Sequence, residues 1–189
     1  VRHGETLYNR EGRMQGHLDI PLSDLGLEQA EKLALRLKGS KFDYIYSSDL
    51  ARAYTTAKTS FPNSEIILDK RLRERSYGIF EGKRREEYSP DELKVYNAYK
   101  KDPFKNRLTG GENSYELFER INAWLQEIAS SKKVIAFTHG GVVRSLIREV
   151  EGKDCKITGI ENTSISRFRY NDGVLELISI NDKKHLLES

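Results

Sequence analysis

Apolar positions recur along this chain in two periods, and the alternation between them outlines the fold. After Leu22-Ser23, residues Leu25, Ala30, Leu33, Ala34 and Leu37 fall at helical spacing, and Lys38-Gly39 ends the run with a basic last turn and a glycine stop. Phe42-Asp43-Tyr44-Ile45-Tyr46 predicts a strand, and the Ser47-Ser48-Asp49 that follows it is suited to cap a helix from about Leu50 to Ser60. Ile66-Ile67-Leu68 predicts a second short strand. Further on, Asn113 to Ser130 predicts a long helix, Val134 to Phe137 a buried β-run, and Val142 to Val150 another helix. Ser164 to Tyr170 and Val174 to Ile180 predict two strands, joined by the hairpin turn Asn171-Asp172-Gly173. Strands that alternate with helices predict an α/β fold with a mostly parallel sheet, to which the hairpin adds antiparallel edge strands.

One stretch breaks the pattern. Between Gly82 and Gly110 the sheet-like period disappears, and the chain is rich in tyrosine and in cations: Lys83, Arg84, Arg85, Lys94, Lys100, Lys101, Lys105 and Arg107. It reads as a helical insertion, either a solvated charged face or a lid carrying a few cations over a site.

Composition narrows the function classes. With 189 residues the chain fits one domain with a modest insertion, spanning 1–189. Its 32 basic and 29 acidic residues leave a net charge of +3 without a polycationic tract, so nucleic acid is not indicated as a partner and small anions are. Cys155 is the single cysteine, which excludes an intrachain disulfide and points to a reducing compartment such as the cytoplasm. It reads as a small hydrophobe more readily than as a nucleophile. Apolar runs such as Val134-Ile135-Ala136-Phe137 are too short to span a bilayer, no secretory signal pattern opens the chain, and no membrane partner is expected. The four histidines, His3, His17, His139 and His185, lack metal-ligand spacing, so neither a metal nor another cofactor is expected.

The candidate chemistry lies directly after the apolar β-runs, where parallel sheets bind their ligands. Arg2-His3 follows Val1, Ser47-Ser48 and the helix bearing Arg52 follow the Tyr44–Tyr46 strand, and Thr138-His139-Gly140-Gly141 follows Val134–Phe137. An arginine offers a planar fork of donors matched to phosphate oxygens, and a neutral imidazole can attack phosphorus. Arg-His-Gly by itself is a weak signal; two arginines and two imidazoles converging on one sheet edge are what phosphoryl transfer needs. A carboxyl group must also protonate the leaving alkoxide, and Glu74, in Leu72-Arg73-Glu74-Arg75, is placed to do so.

These pieces resemble the histidine phosphatase superfamily, the clan of cofactor-dependent phosphoglycerate mutases and their phosphatase relatives. The resemblance rests on Arg2-His3-Gly4-Glu5-Thr6 with Asn9, Gln15-Gly16, Pro21 to Gly26, Ser47 to Ala53, Leu72-Arg73-Glu74, Gly110-Gly111-Glu112, Thr138-His139-Gly140 and Asn181 to Leu186, in family order over nearly the whole chain. It implies a three-layer α/β/α fold with a helical lid insertion at about 82–110. It further implies that His3 becomes phosphohistidine, that Arg2, Arg52 and His139 bind the phosphoryl oxygens, and that Glu74 serves as acid and then base. Asn9 and the amide of Gly140 would add hydrogen bonds to the phosphoryl group, and Gln15, Gly16, Arg84 and Arg85 would contribute to phosphate or substrate binding.

A hydrolase of the histidine acid-phosphatase type, acting on a small phosphorylated metabolite, is preferred to a cofactor-dependent mutase, because the family's mutases are longer and Gly110-Gly111-Glu112 resembles the phosphatase branch. Two features qualify this: Asn113 stands where that branch usually has serine, and Glu74-Arg75-Ser76-Tyr77-Gly78 with Arg84-Arg85 resembles the mutase branch. A catalytically silent regulatory domain is disfavoured by the complete constellation. The spacing does not choose among a sugar phosphate, a phosphoglycerate, a nucleotide and an α-ribazole phosphate. A homodimer is left open, as are the roles of His17, Asn181 and His185.

Overall fold

A computed structural model describes residues 1–128, 132–152, 155, 157 and 159–187. Its centre is a parallel sheet of β1 (Tyr44–Ser47), β2 (Ile67–Leu68) and β3 (Val134–Phe137) in the order β2-β1-β3. Tyr46 is opposite Ile67, while Tyr44 to Ser47 pair in register with Val134 to Phe137. Beyond β3 the sheet is extended by the first residues of the chain: Arg2 bridges Thr138 in parallel, with Thr138 N donating to Val1 O (2.8 Å) and His3 N to Thr138 O (2.9 Å). Arg2 N donates in turn to Ser164 O, which leads into the antiparallel pair β4 (Ile165–Asn171) and β5 (Val174–Asp182). Asp172 and Gly173, the two residues between the paired Asn171 and Val174, both have positive φ (48° and 81°), as a type I′ turn requires.

Helices cover both faces, giving three layers. They are α1 (Leu7–Arg10), α2 (Asp24–Leu37), α3 (Ala51–Ser60), α4 (Pro90–Lys101), α5 (Ser114–Glu127) and α6 (Gly140–Glu151). The alternation in β3 shows why the sheet is buried on both sides. Ile135 and Phe137 pack with Leu33 and Leu37 of α2 and Ala57 of α3, whereas Val134 and Ala136 pack with Leu117, Ile121 and Trp124 of α5 and Leu146 of α6. Each fully buried side chain of this size contributes roughly 1.5–3 kcal/mol. A cavity of about 500 Å³ lined by Trp124, Ala136, Leu146 and Phe168 opens beside β3, away from the histidines.

Several boundaries differ from the sequence expectation: the strands are shifted by one or two residues, with β1 at Tyr44–Ser47 where Phe42–Tyr46 is expected and β5 running on to Asp182 beyond the expected Ile180, and three helix ends differ as well. Helix α3 does not take its cap from Ser47-Ser48-Asp49: Asp49 is held by both Nε and Nη2 of Arg73 (2.7 and 2.6 Å), and Ser48 is engaged by His139. The first free amide of the helix, Ala51 N, is taken instead by Asp19 Oδ1 at 2.7 Å, from the loop ahead of α2. Helix α6 begins two residues earlier than its apolar period indicates, so that Gly140 and Gly141 form its first turn. Helix α5 ends at Glu127, and the last two residues of the expected Asn113–Ser130 helix, Ala129 and Ser130, lie outside the described residues.

Residues 82–110 contain a short turn at Arg85–Glu87 and α4, which opens with a Ser89 capping box and Pro90. Tyr88 and Leu108 of this segment form a small core with Phe80, just ahead of it, against which Met14, Tyr77, Tyr96 and Tyr99 pack. No helix among the described residues is long and apolar enough to cross a membrane, and none of their His, Cys, Asp and Glu side chains cluster to hold a metal.

Candidate active site

The parallel register brings the ends of β1, β3 and the Val1 segment to one edge, and the residues just beyond them meet there. His3 is 3% exposed and its ring centroid lies 5.1 Å from that of His139. Its Nδ1 is 2.6 Å from the carbonyl oxygen of Gly4. A carbonyl only accepts, so Nδ1 carries the proton and Nε2 keeps its lone pair, with no partner among the described residues. The backbone of His3 is clamped from both sides: its amide donates to Thr138 O, and its carbonyl accepts from Asn162 Nδ2 (2.9 Å) and Thr163 N (3.2 Å).

His139, the residue ahead of α6, is fully buried and has the opposite tautomer. Its Nδ1 accepts from Arg52 Nε (3.3 Å), leaving Nε2 to donate to Ser48 Oγ (3.0 Å). Arg52 is fully buried as well, its Nη1 and Nη2 donating to the carbonyls of Leu18 (2.7 Å) and Gly16 (2.8 Å). Arg2 donates through Nη1 to Ile160 O, while its buried Nε has no hydrogen-bond partner. Burial, with the charges of Arg2 and Arg52 added, holds the His3 imidazole well below its ordinary value. His139 is held well below in the same way, by burial first and then by Arg52, so both rings are neutral at neutral pH. Burial also lowers Arg2, with the Glu74 carboxylate opposing and Arg144 reinforcing the shift.

The Glu74 side chain is fixed from two sides. Its Oε1 accepts from Arg75 N (2.8 Å), and its Oε2 accepts from Gly141 N (3.1 Å) in the first turn of α6. Position 141 has to be glycine for this geometry, since a Cβ there would lie 1.9 Å from Glu74 Oε1. The backbone is fixed too: Glu74 O accepts from His17 Nε2 and from Arg120 Nη2, each at 2.8 Å. Arg120 also donates to the carbonyls of Arg71 and Arg73 and is paired with Glu112, so one α5 arginine holds the whole 71–74 segment.

The remaining sequence candidates divide. The Oδ1 of Asn9 is occupied by Thr6 N (3.1 Å) and Asn162 Nδ2 (3.4 Å), and Gln15 accepts from Thr6 Oγ1 (2.9 Å) behind the same loop. Gly16, at φ 54°, gives its carbonyl to Arg52, and a Cβ there would collide with Glu81 Oε1. Gly140 opens α6 beside Arg2. Arg84 and Arg85 point elsewhere: Arg84 pairs with Glu11 at 3.3 Å, and Arg85 lies over the ring of Tyr96.

His17, whose role the sequence leaves open, supports Glu74 through its ring. His185 is buried, and its Nε2 is 3.1 Å from Thr163 Oγ1, in the residue that holds the His3 carbonyl. Asn181 accepts from Glu161 N through Oδ1. Arg120, Asn162, Thr163 and Arg144 carry no motif that a reading along the chain would single out; only the polar chemistry of the 160–164 turn after the Gly159-Ile160 step hints at a function.

Against known proteins, a model of the histidine phosphatase superfamily (branch 1) matches residues 1–183. Phosphoglycerate mutase-like protein 4 of Arabidopsis thaliana is 38% identical, with 100% of this chain and 86% of that protein covered. Among solved structures, a phosphoserine phosphatase mutant from Entamoeba histolytica, crystallised with phosphoserine, superposes with a TM-score of 0.84 at 30% identity, covering 98% of this chain and 96% of that one. A mycobacterial glucosyl-3-phosphoglycerate phosphatase complexed with VO3 gives a TM-score of 0.83 at 28% identity, covering 95% and 96%.

Proposed function

Because this chain belongs to the histidine phosphatase superfamily, we propose that it is a phosphomonoester hydrolase whose nucleophile is Nε2 of His3. One observation carries this reading: the Gly4 carbonyl fixes the His3 tautomer so that Nε2 is unprotonated and has no partner among the described residues, on a ring 5.1 Å from that of the buried His139, which the buried Arg52 holds. In the first step the Nε2 lone pair attacks phosphorus and the P–O ester bond breaks. The departing alkoxide takes a proton from the Glu74 carboxyl, and Nδ1–H stays on the Gly4 carbonyl throughout.

In the second step Glu74, now a carboxylate, takes a proton from water. The water oxygen attacks phosphorus, the P–N bond breaks and neutral His3 is restored. Arg2, whose Nε is unpartnered, Arg52, and the amides that open α6 at Gly140 supply the positive potential for the equatorial oxygens. Asn9 and Gln15 shape the loop that borders them, while residues 82–110 act as the lid through Tyr99 and the cluster that packs on Tyr77.

The depressed imidazoles support an acid-phosphatase character. Since His3 stays neutral below its ordinary value, the nucleophile remains competent in mildly acidic solution, and kcat/KM does not acquire an acid limb near pH 6.5 from His3. A second reading, a cofactor-dependent phosphoglycerate mutase, is favoured by the similarity to the Arabidopsis mutase-like protein. A paired assay separates them: phosphate release from phosphomonoesters on one arm, and interconversion of 3- and 2-phosphoglycerate with catalytic 2,3-bisphosphoglycerate on the other. Release without interconversion is expected; efficient interconversion with little release would overturn the hydrolase reading.

A further inference from the structure

Most of the cations around the strand ends are matched to partners. Arg52 is held by carbonyls and His139, Arg73 by Asp49, Arg120 by Glu112, and Arg75 by Tyr99 Oη and Ser114 Oγ. Arg144, one turn into α6 and half-buried, has no hydrogen bond or ion pair among the described residues. It nevertheless stands at the site. The point where a Cβ on Gly140 would lie is 3.5 Å from Arg144 Nη1 and 3.7 Å from Arg2 Nε, so the two guanidinium groups flank it. The Arg144 charge is felt by Arg2, Tyr77 and Tyr99, and Tyr77 also feels Glu74.

Two guanidinium groups of like charge in a partly desolvated site disfavour one another; the Glu74 carboxylate offsets part of this at Arg2, and an anionic ligand would offset more. Arg2 and Arg52 already serve the phosphoryl group. Arg144 rises from the second turn of α6, and its Nη1 reaches back to the Gly140 end of the helix, beside Arg2. A lone guanidinium matches one carboxylate, which it can grip through two parallel N–H bonds. A second phosphoryl dianion would call for a second cation, and Arg84 and Arg85 are turned to Glu11 and Tyr96.

We propose that Arg144 is a subsite for a substrate carboxylate, and that the enzyme prefers phosphomonoesters of hydroxy acids carrying that group a few bonds from the ester oxygen. The proposal rests on the phosphatase reading of the His3 site and deepens it by naming the substrate class.

The test uses matched pairs that differ in the carboxylate alone: O-phosphoserine against O-phosphoethanolamine, and 3-phosphoglycerate against glycerol 3-phosphate, with p-nitrophenyl phosphate as a reference. Wild type is expected to favour the carboxylated member by about tenfold to a hundredfold in kcat/KM, mainly through KM. Arg144→Gln should erase that preference while leaving p-nitrophenyl phosphate within about twofold, and Arg144→Lys should restore part of it. Arg148→Gln, one turn further along α6, should keep it. Calorimetric binding of the same pairs to His3→Ala, with and without Arg144→Gln, reads the subsite independently of turnover.

Equal losses on both members of a pair, or no preference in wild type, would overturn the subsite while leaving the phosphatase intact. Tighter binding of a bisphosphate without a carboxylate than of phosphoserine would also overturn it. If wild type hydrolyses none of the esters but His3→Ala binds the carboxylated members selectively, the phosphatase reading falls and the subsite stands.

Discussion

At the residue scale, two neutral imidazoles of opposite tautomer lie with their ring centroids 5.1 Å apart, and each tautomer is set by a group outside the pair: the Gly4 carbonyl for His3, the Arg52 guanidinium for His139. His3→Ala should therefore lower kcat by at least about a thousandfold and abolish acid-labile phosphoprotein in a quench trapping experiment. Glu74→Gln should depend on the leaving group: a loss of about a hundredfold or more on alkyl phosphates, and a far smaller one on p-nitrophenyl phosphate, whose phenolate leaves without a proton.

Burial has a stability consequence as well. Unfolding returns both rings to ordinary values near 6.5, so below that pH the unfolded chain binds protons that the folded one refuses. Stability is fully present above about pH 7 and falls on acidification, by at most about 1.4 kcal/mol per pH unit for each ring. Chemical denaturation between pH 7.5 and 5.5 measures that slope, and His3→Ala should reduce it by one proton's share.

At the element scale, helix starts were the hardest feature to read from sequence. Ser48 and Asp49 have the chemistry of caps, but their partners are His139 and Arg73, far along the chain, and the α3 amide is closed by Asp19. Asp19→Ala should lower stability by about 1 kcal/mol, read as a shift in the urea midpoint, whereas a true cap at Asp49 would make Asp49→Ala the sole costly change at this helix start. The start of α6 was hidden for a different reason: glycine carries no apolar period, so the pattern began at Val142 although the first turn is Gly140-Gly141. Gly141→Ala should push the Glu74 carboxylate aside and reduce kcat on alkyl phosphates about tenfold or more, with near-normal binding of inorganic phosphate or vanadate. The turn between β4 and β5 was legible to within one residue: Asn171, expected in the turn, ends β4, and the positive φ at Asp172 and Gly173 is a local demand met by local residue types.

At the scale of the whole molecule, the apolar runs are short and bounded, and they establish the strands; topology then does the rest. Parallel strands end together, which is why Arg2, His3, Arg52 and His139 could be grouped from the sequence and are found together. What sequence could not supply is which cation faces inward. Arg84 and Arg85 are conspicuous in a charged run yet lie against Glu11 and Tyr96, while Arg144 sits unremarked in an amphipathic helix. The His3 carbonyl is held by Thr163, a β-branched residue at φ 55°, and Thr163 is in turn braced by His185. The seat of residue 3 is thus assembled from segments 160 and 182 positions further along the chain, so it is a product of the finished tertiary structure and not of any local stretch of sequence.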